Sequence, residues 1–168
     1  MFSLNAPVPG RVRQQLEDLR PALTDFATVR EEPTLVVKRF GDLTPDGLDR
    51  VESEARLALA GASAVAARLD RLAVFEDPPA GPAPVVYVAV ESPGLKRLHD
   101  RLVEAFGAVE GLEGDDYVPH VTVARGGTPD TLDRLADVVL EPVEWTVTEL
   151  WFWDARQGER TGRVSLSG

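Results

Sequence analysis

The chain has 168 residues, 43% hydrophobic and 27% charged, with no cysteine, which is enough apolar material for one sizeable core or two small lobes. Disulfides, zinc-thiolate sites and cysteine nucleophiles are thereby excluded, and with His99 and His120 as the two histidines a histidine-rich metal site is not expected either. The formal net charge of -10 argues against broad nucleic-acid binding, which needs a basic footprint, but permits a small basic cleft.

Lysine is confined to Lys38 and Lys96, whereas arginine is frequent. An acidic, lysine-poor surface suits concentrated salt, so a halophilic source is the expectation and a mesophilic acidic protein the alternative. No apolar run approaches the roughly 20 residues of a membrane span, and Met1 to Asn5 lacks the character of a signal peptide. A cytoplasmic monomer without a membrane partner is expected.

In chain order, Phe2 to Ala6 reads as a strand closed by Pro7, Pro9 and Gly10. Val12, Leu16, Leu19 and Leu23 then fall at helical spacing and predict a helix over 10–23. A second strand, Thr34 to Phe40, is β-branched and ends at Gly41-Asp42. Thr44 caps a helix that carries Leu48, Val51, Ala55 and Leu59 on one face and stops at Gly61. Ala64 to Phe75 is a strand of mixed character, broken by the proline-rich stretch Asp77 to Pro84.

Val85 to Val90 is the strongest strand, and Ser92-Pro93 opens a helix with Leu95, Leu98, Leu102 and Phe106 in register. After an acidic, glycine-containing loop comes the strand Tyr117 to Arg125, then a helix from Thr128 to about Val139 with Leu132, Leu135 and Val139 inward. Glu144 to Trp153 reads as one long aromatic strand, and Gly162 to Leu166 as the last. Each half, about 1–78 and 85–168, runs strand, helix, strand, helix, strand, with Thr34 and Thr122 in matching places. The expectation is a single α+β domain, duplicated into two lobes of β-sheet with outer helices around a central cleft.

Period-two alternation puts His120 and Thr122 on one strand face, an imidazole to move a proton beside a hydroxyl to donate a hydrogen bond. The segments Pro119-His120-Val121-Thr122-Val123-Ala124-Arg125 and Thr34-Leu35-Val36-Val37-Lys38-Arg39-Phe40-Gly41, in this order of elements, resemble the 2H phosphoesterase superfamily, in its 2′-5′ RNA ligase-like branch. The resemblance implies two His-x-Thr/Ser motifs that flank a phosphodiester, one histidine taking a proton and the other giving one, with no metal or cofactor. It implies an RNA or nucleotide substrate carrying a 2′,3′-cyclic phosphate or a 2′-5′ linkage.

Carried over onto this chain, the second motif is His120 and Thr122, while the first keeps Thr34 and has Glu32 two residues before it. Glu32 then serves as a carboxylate base opposite His120, or else turnover is lost and the domain binds an RNA end or nucleotide without reacting. An ionised carboxylate about 4 Å from a phosphate charge is repelled by roughly 4 kcal/mol at an effective dielectric constant of 20. Lys38 is the expected neutraliser, because regular alternation would put Glu32, Thr34, Val36 and Lys38 on one face.

The same alternation points Arg39 and Arg125 away from the cleft unless the strands are irregular, though both sit where they would guide an anion. Tyr87, Trp151 and Trp153 are candidates for base stacking, with plain core as the alternative. His99, beside the apolar stripe of its helix, reads as structural, and Gly126-Gly127 as a turn.

Overall fold

The structure, a computed structural model, describes residues 1–167. Strands form where β-branched and aromatic residues run together, and most of their ends fall at the glycine and proline punctuation. In order they are β1 (Phe2–Ala6), α1 (Gly10–Leu19), β2 (Thr28–Val29), β3 (Leu35–Gly41), α2 (Pro45–Ala58), β4 (Val65–Phe75) and β5 (Val85–Glu91). There follow α3 (Pro93–Phe106), β6 (His120–Arg125), α4 (Pro129–Asp133), β7 (Glu144–Val147), β8 (Glu149–Asp154) and β9 (Glu159–Ser165). Thr44 and Ser92 cap α2 and α3, each hydroxyl accepting the backbone N–H three residues on, with proline at the first helical position.

The strands make one antiparallel sheet in the order β7-β4-β5-β6-β3-β1-β8-β9, with β2 against β6, curled into a half-barrel. One lobe holds β3, β1, β8 and β9, and the other β6, β5, β4 and β7. They meet where Leu35 of β3 pairs with Val121 of β6. The lobes are not the contiguous halves of the chain. β4 from the first half lies beside β5, and β8 from the second lies beside β1 and carries β9, so the first half lends one strand to the other lobe and the second lends two.

This exchange explains one departure from the sequence reading. Residues 144–153 form two strands, because β7 pairs with β4 at one edge and β8 with β1 in the other lobe. Helix α1 tightens to a 3-10 turn at Arg20–Leu23, where Pro21 lacks an N–H. Helix α4 ends at Asp133 rather than near Val139. Bonds from Leu135 to Leu132 and Ala136 to Asp133 tighten the next turn, and Val139 is 91% exposed instead of inward.

The helices cover one face of the sheet. Leu4, Leu35, Val86, Val88 and Val121 pack there with Leu95, Leu98 and Leu102 of α3 and Ala55 of α2. Each such leucine, fully buried, contributes about 1.5–3 kcal/mol. Close approach of α3 to β4 depends on Gly94, where an added Cβ would lie 2.4 Å from that of Val65. Gly94→Ala is therefore expected to destabilise the protein by about 1–3 kcal/mol through overpacking, despite alanine's better helix propensity. Denaturant unfolding measures it, and a stabilised variant would contradict the packing.

Candidate active site

Two β-bulges decide which side chains reach the face opposite the helices. Along β3, Val36 pairs with Asn5 and Lys38 with Leu4, which leaves Val37 as an extra residue. Along β6, Thr122 pairs with Tyr87 and Ala124 with Val86, which leaves Val123. Beyond each bulge the alternation reverses. Arg39 therefore joins Val36, Asn5 and Ser3 on the open face, and Arg125 joins His120, Thr122, Tyr87 and Val85. Val85, Tyr87 and Ala89 are buried but stand apart from the helix-side core, as this geometry requires.

Lys38 is accordingly a correction. Expected in the cleft as the neutraliser of Glu32, it lies on the core side with Leu4, 2% exposed, its ammonium 2.7 Å from Glu113 Oε2. Arg39 and Arg125, expected to point away if the strands were regular, turn to the open face because they are not.

The bulge in β3 is held from the helix side. The Tyr117 hydroxyl donates to the Val36 carbonyl at 2.9 Å, and His99 Nδ1 to that of Val37 at 2.6 Å. His99 Nε2 accepts the Gly114 N–H at 2.9 Å, so both partners fix the neutral Nδ1–H tautomer, and the ring stacks on Tyr117 at 3.9 Å. Glu113 completes the support. Besides Lys38 it accepts the backbone N–H of Arg39 at 2.8 Å and of Val109 at 3.0 Å. Burial acts to raise its pKa, but the hydrogen bonds from Lys38, Val109 and Arg39 and the charge of Lys38 outweigh this and hold the carboxyl below its ordinary value.

His120 sits in an aromatic corner. Its ring meets Phe75 and Tyr87 edge-on at 5.5 and 5.3 Å, and those two stack on each other at 4.0 Å. With Nδ1 2.6 Å from the Val118 carbonyl, the ring donates there and keeps the Nε2 lone pair free. Burial is the main cause that lowers its pKa below the ordinary value; the bond to Val118 opposes the shift, and the charges of Arg39 and Arg125 reinforce it. The imidazole is therefore neutral near pH 7 and able to take a proton.

Burial first and then the charge of Arg125 lower the guanidinium pKa of Arg30; for Arg39 burial outweighs the opposing charge of Glu113, 3.9 Å away, and Arg125 adds a smaller lowering. Around the imidazole and the Thr122 hydroxyl the chain thus concentrates positive charge within an acidic molecule. Arg125 is steadied by donating to the Ala80 carbonyl at 2.9 Å, which ties the proline-rich loop 77–84 to the site. The arrangement suits an anion held by guanidinium groups and a hydroxyl beside a free base.

Thr34 lies immediately before Leu35 and hence next to the junction of the lobes. Glu32 is exposed, outside β3, and pairs with Arg13 of α1 at 3.4 Å. It lines a small cavity of about 190 Å³ that also touches Arg30 and Thr122. The structure thus brings together His120, Thr122, Tyr87, Arg39 and Arg125, sets Thr34 beside them, and leaves Glu32 at the rim and Lys38 on the far side of the sheet. Phe75, Asn5, Arg30 and Glu113 are additions that sequence reasoning missed. An acidic residue in a glycine-containing loop gives no sign that it will be buried, and Phe75 stood as the mere end of a strand.

Two measurements check this geometry. In the free protein the His120 imidazole is expected to titrate below about 6.5 in its NMR shifts. Inorganic phosphate should move the value up, because a nearby anion favours imidazolium; an ordinary value would mean a solvated ring. Glu113→Gln is expected to cost about 3–5 kcal/mol by leaving Lys38 buried without a counter-charge. Since the carboxyl is held below its unfolded value, its contribution is present in full above about pH 4.5 and lost as pH falls through the lowered one, so the variant's stability should vary less over that window.

The family model of the 2′-5′ RNA ligase superfamily matches residues 8–159. No curated protein sequence matches the chain. Among solved structures it is similar to TT0787 of Thermus thermophilus, at 19% identity and TM-score 0.69, covering 99% of this chain and 98% of that one. It is also similar to E. coli LigT complexed with 3′-AMP, at 17% identity and TM-score 0.69, covering 99% and 98%. The same protein complexed with phosphate gives 16% identity and TM-score 0.66, covering 99% and 97%. At these identities the likeness is one of fold.

Proposed function

The chain belongs to the 2′-5′ RNA ligase superfamily, and from that membership we propose that it opens or cleaves a phosphodiester of RNA or a nucleotide, a 2′,3′-cyclic phosphate or a 2′-5′ linkage, with His120 as general base. One observation carries this reading: a neutral imidazole, a hydroxyl and two guanidinium groups gather on one open face. Thr122 and Arg125 would bind the phosphoryl oxygens beside His120, and Arg39 would approach from the other lobe. Nε2 would take the proton of the attacking water as the new O–P bond forms. Tyr87 and Phe75 enclose the imidazole and keep it neutral, and the outer edge of Phe75 is left for a nucleobase.

A second reading is favoured by the position of Glu32. Exposed and paired with Arg13, it is already engaged by a cation, and a site left with His120 as its proton carrier could bind a phosphate end without turning it over.

The purified protein is expected to hydrolyse adenosine 2′,3′-cyclic phosphate slowly, and His120→Ala to lower kcat by about 10²–10⁴ while 3′-AMP still binds. Arg125→Met should chiefly weaken binding, by about 1.5–3 kcal/mol for a lost charged hydrogen bond. Steady-state kinetics and nucleotide titration separate the two readings. Saturable binding of 3′-AMP without His120-dependent turnover would leave only the second.

A further inference from the structure

We infer that Thr34 and Val36 hold, in the first lobe, the places that His120 and Thr122 hold in the second, so that the site works with a base and no acid and takes phosphodiesters whose leaving oxygen departs unaided as an anion, such as aryl esters and phosphoanhydrides. This inference rests on the reading of His120 as the base.

The register comes from the sheet. Leu35 and Val121 pair across two antiparallel strands, which relates the strands by a local two-fold axis. The sequence separation that relates Leu35 to Val121 also relates the bulge residue Val37 to Val123 and Arg39 to Arg125. Their neighbours follow: Asn5, paired with Val36, stands where Tyr87 stands, paired with Thr122. Matching Thr34 to Thr122 instead, as the residue types alone suggest, would set the bulge at Val37 against Arg125 and Arg39 against Gly127. Two bulges and two arginines favour the first register, under which the counterpart of His120 is Thr34.

Displacement at phosphorus wants the attacking and leaving oxygens roughly in line, hence an acid on the side away from the base. Tyr87 packs against the His120 ring and so lies on the base's own side. Across the junction the open face offers Thr34, Val36, Asn5 and Arg39, none of which titrates near neutral pH, and Glu32 at the rim is exposed and held in an ion pair by Arg13. Glu149, two strands further out, is held by the Trp151 indole at 2.7 Å and faces Arg163. Asn5 Oδ1 accepts from the Ser3 hydroxyl at 2.8 Å, and its amide NH₂ is a neutral donor with no proton to give near neutral pH.

The step balances without an acid. His120 Nε2 takes a proton from water, the hydroxide oxygen bonds to phosphorus, and the P–O bond to the leaving group breaks with its electron pair. Arg39 faces the departing aryloxide or phosphate oxygen, and the imidazolium then returns its proton to solvent. A ribose alkoxide, far more basic, leaves poorly by this route.

The test compares the wild type, Thr34→His, Thr34→Ala and His120→Ala on a series of thymidine 5′-aryl phosphates of graded phenol acidity and on adenosine 2′,3′-cyclic phosphate. In the wild type, kcat/KM should rise steeply with phenol acidity and follow one ionisation, that of His120. Thr34→His should flatten that dependence, raise cyclic-phosphate hydrolysis by about 10²–10⁴, and turn the pH profile bell-shaped; Thr34→Ala should leave the wild-type pattern. Wild-type turnover that depends on His120 but not on the leaving group would overturn this inference and leave the proposed function standing. So would a Thr34→His protein that melts like the wild type yet gains nothing on the cyclic phosphate. No His120-dependent turnover of any of these substrates would overturn both.

Discussion

Glu113 grips a strand at the point where a bulge has turned it over. Its carboxylate takes the Lys38 ammonium on the core side and the Arg39 backbone N–H on the next residue, so it binds the two positions whose sides the bulge at Val37 has exchanged. The alternative, a regular strand, would send the Arg39 guanidinium among Leu4, Leu35 and Leu102 and Lys38 into the cleft. A bulky guanidinium would then have to fit where the Lys38 ammonium now meets Glu113 at 2.7 Å, whereas in the bulged strand Glu113 reaches both cations, with the Arg39 guanidinium 3.9 Å from its other oxygen. A buried ion pair adds little net stability over apolar packing. Here its three hydrogen bonds settle which residue faces which way.

The same economy extends to the carbonyls. A bulge leaves backbone groups without ladder partners, and buried carbonyls without partners are costly. Tyr117, on the segment that leads into β6, and His99, on α3, supply donors to Val36 and Val37. The support of one lobe's arginine is thus built from the approach to the other lobe's motif. In β6 the corresponding donor is the Arg30 backbone N–H, 2.8 Å from the carbonyl of the bulge residue Val123, while the Ala80 carbonyl in the loop before β5 receives the Arg125 side chain. The lobes share a plan and solve its local problem with unrelated residues.

Most of the scaffold could be read from the chain, because its signals are local. Apolar period, capping threonine and serine, and proline at helix starts located β1, α2, β5 and α3 to within a residue or two. His120 and Thr122 on one face followed from alternation alone. What could not be read is whatever depends on pairing. Glu144 to Trp153 contains no breaker, and only its partners at two distant strands divide it at Thr148. The bulges are two valines among valines, so nothing in the residue types distinguishes Val37 from Val36. From that one omission came the wrong side for Lys38 and for both arginines.

A molecule of net charge -10 that gathers Arg30, Arg39 and Arg125 at one place meets an opposing requirement. The surface repels an approaching nucleic acid at long range, and the cleft attracts a phosphate at short range. Salt separates the two. Exposed charges more than about 8–10 Å apart are largely screened at moderate ionic strength, while charges in an enclosed site are screened much less. Raising salt therefore removes the long-range barrier faster than the local attraction. It also favours small ligands or strand ends that can enter the cleft over long duplexes, which would have to lie along the acidic surface. The guanidinium charges have a second effect inside the cleft, since they disfavour imidazolium and so keep His120 in the form that accepts a proton. A bound phosphate would reverse that sign and stabilise the imidazolium, so on the proposed reading the base would strengthen only with substrate in place.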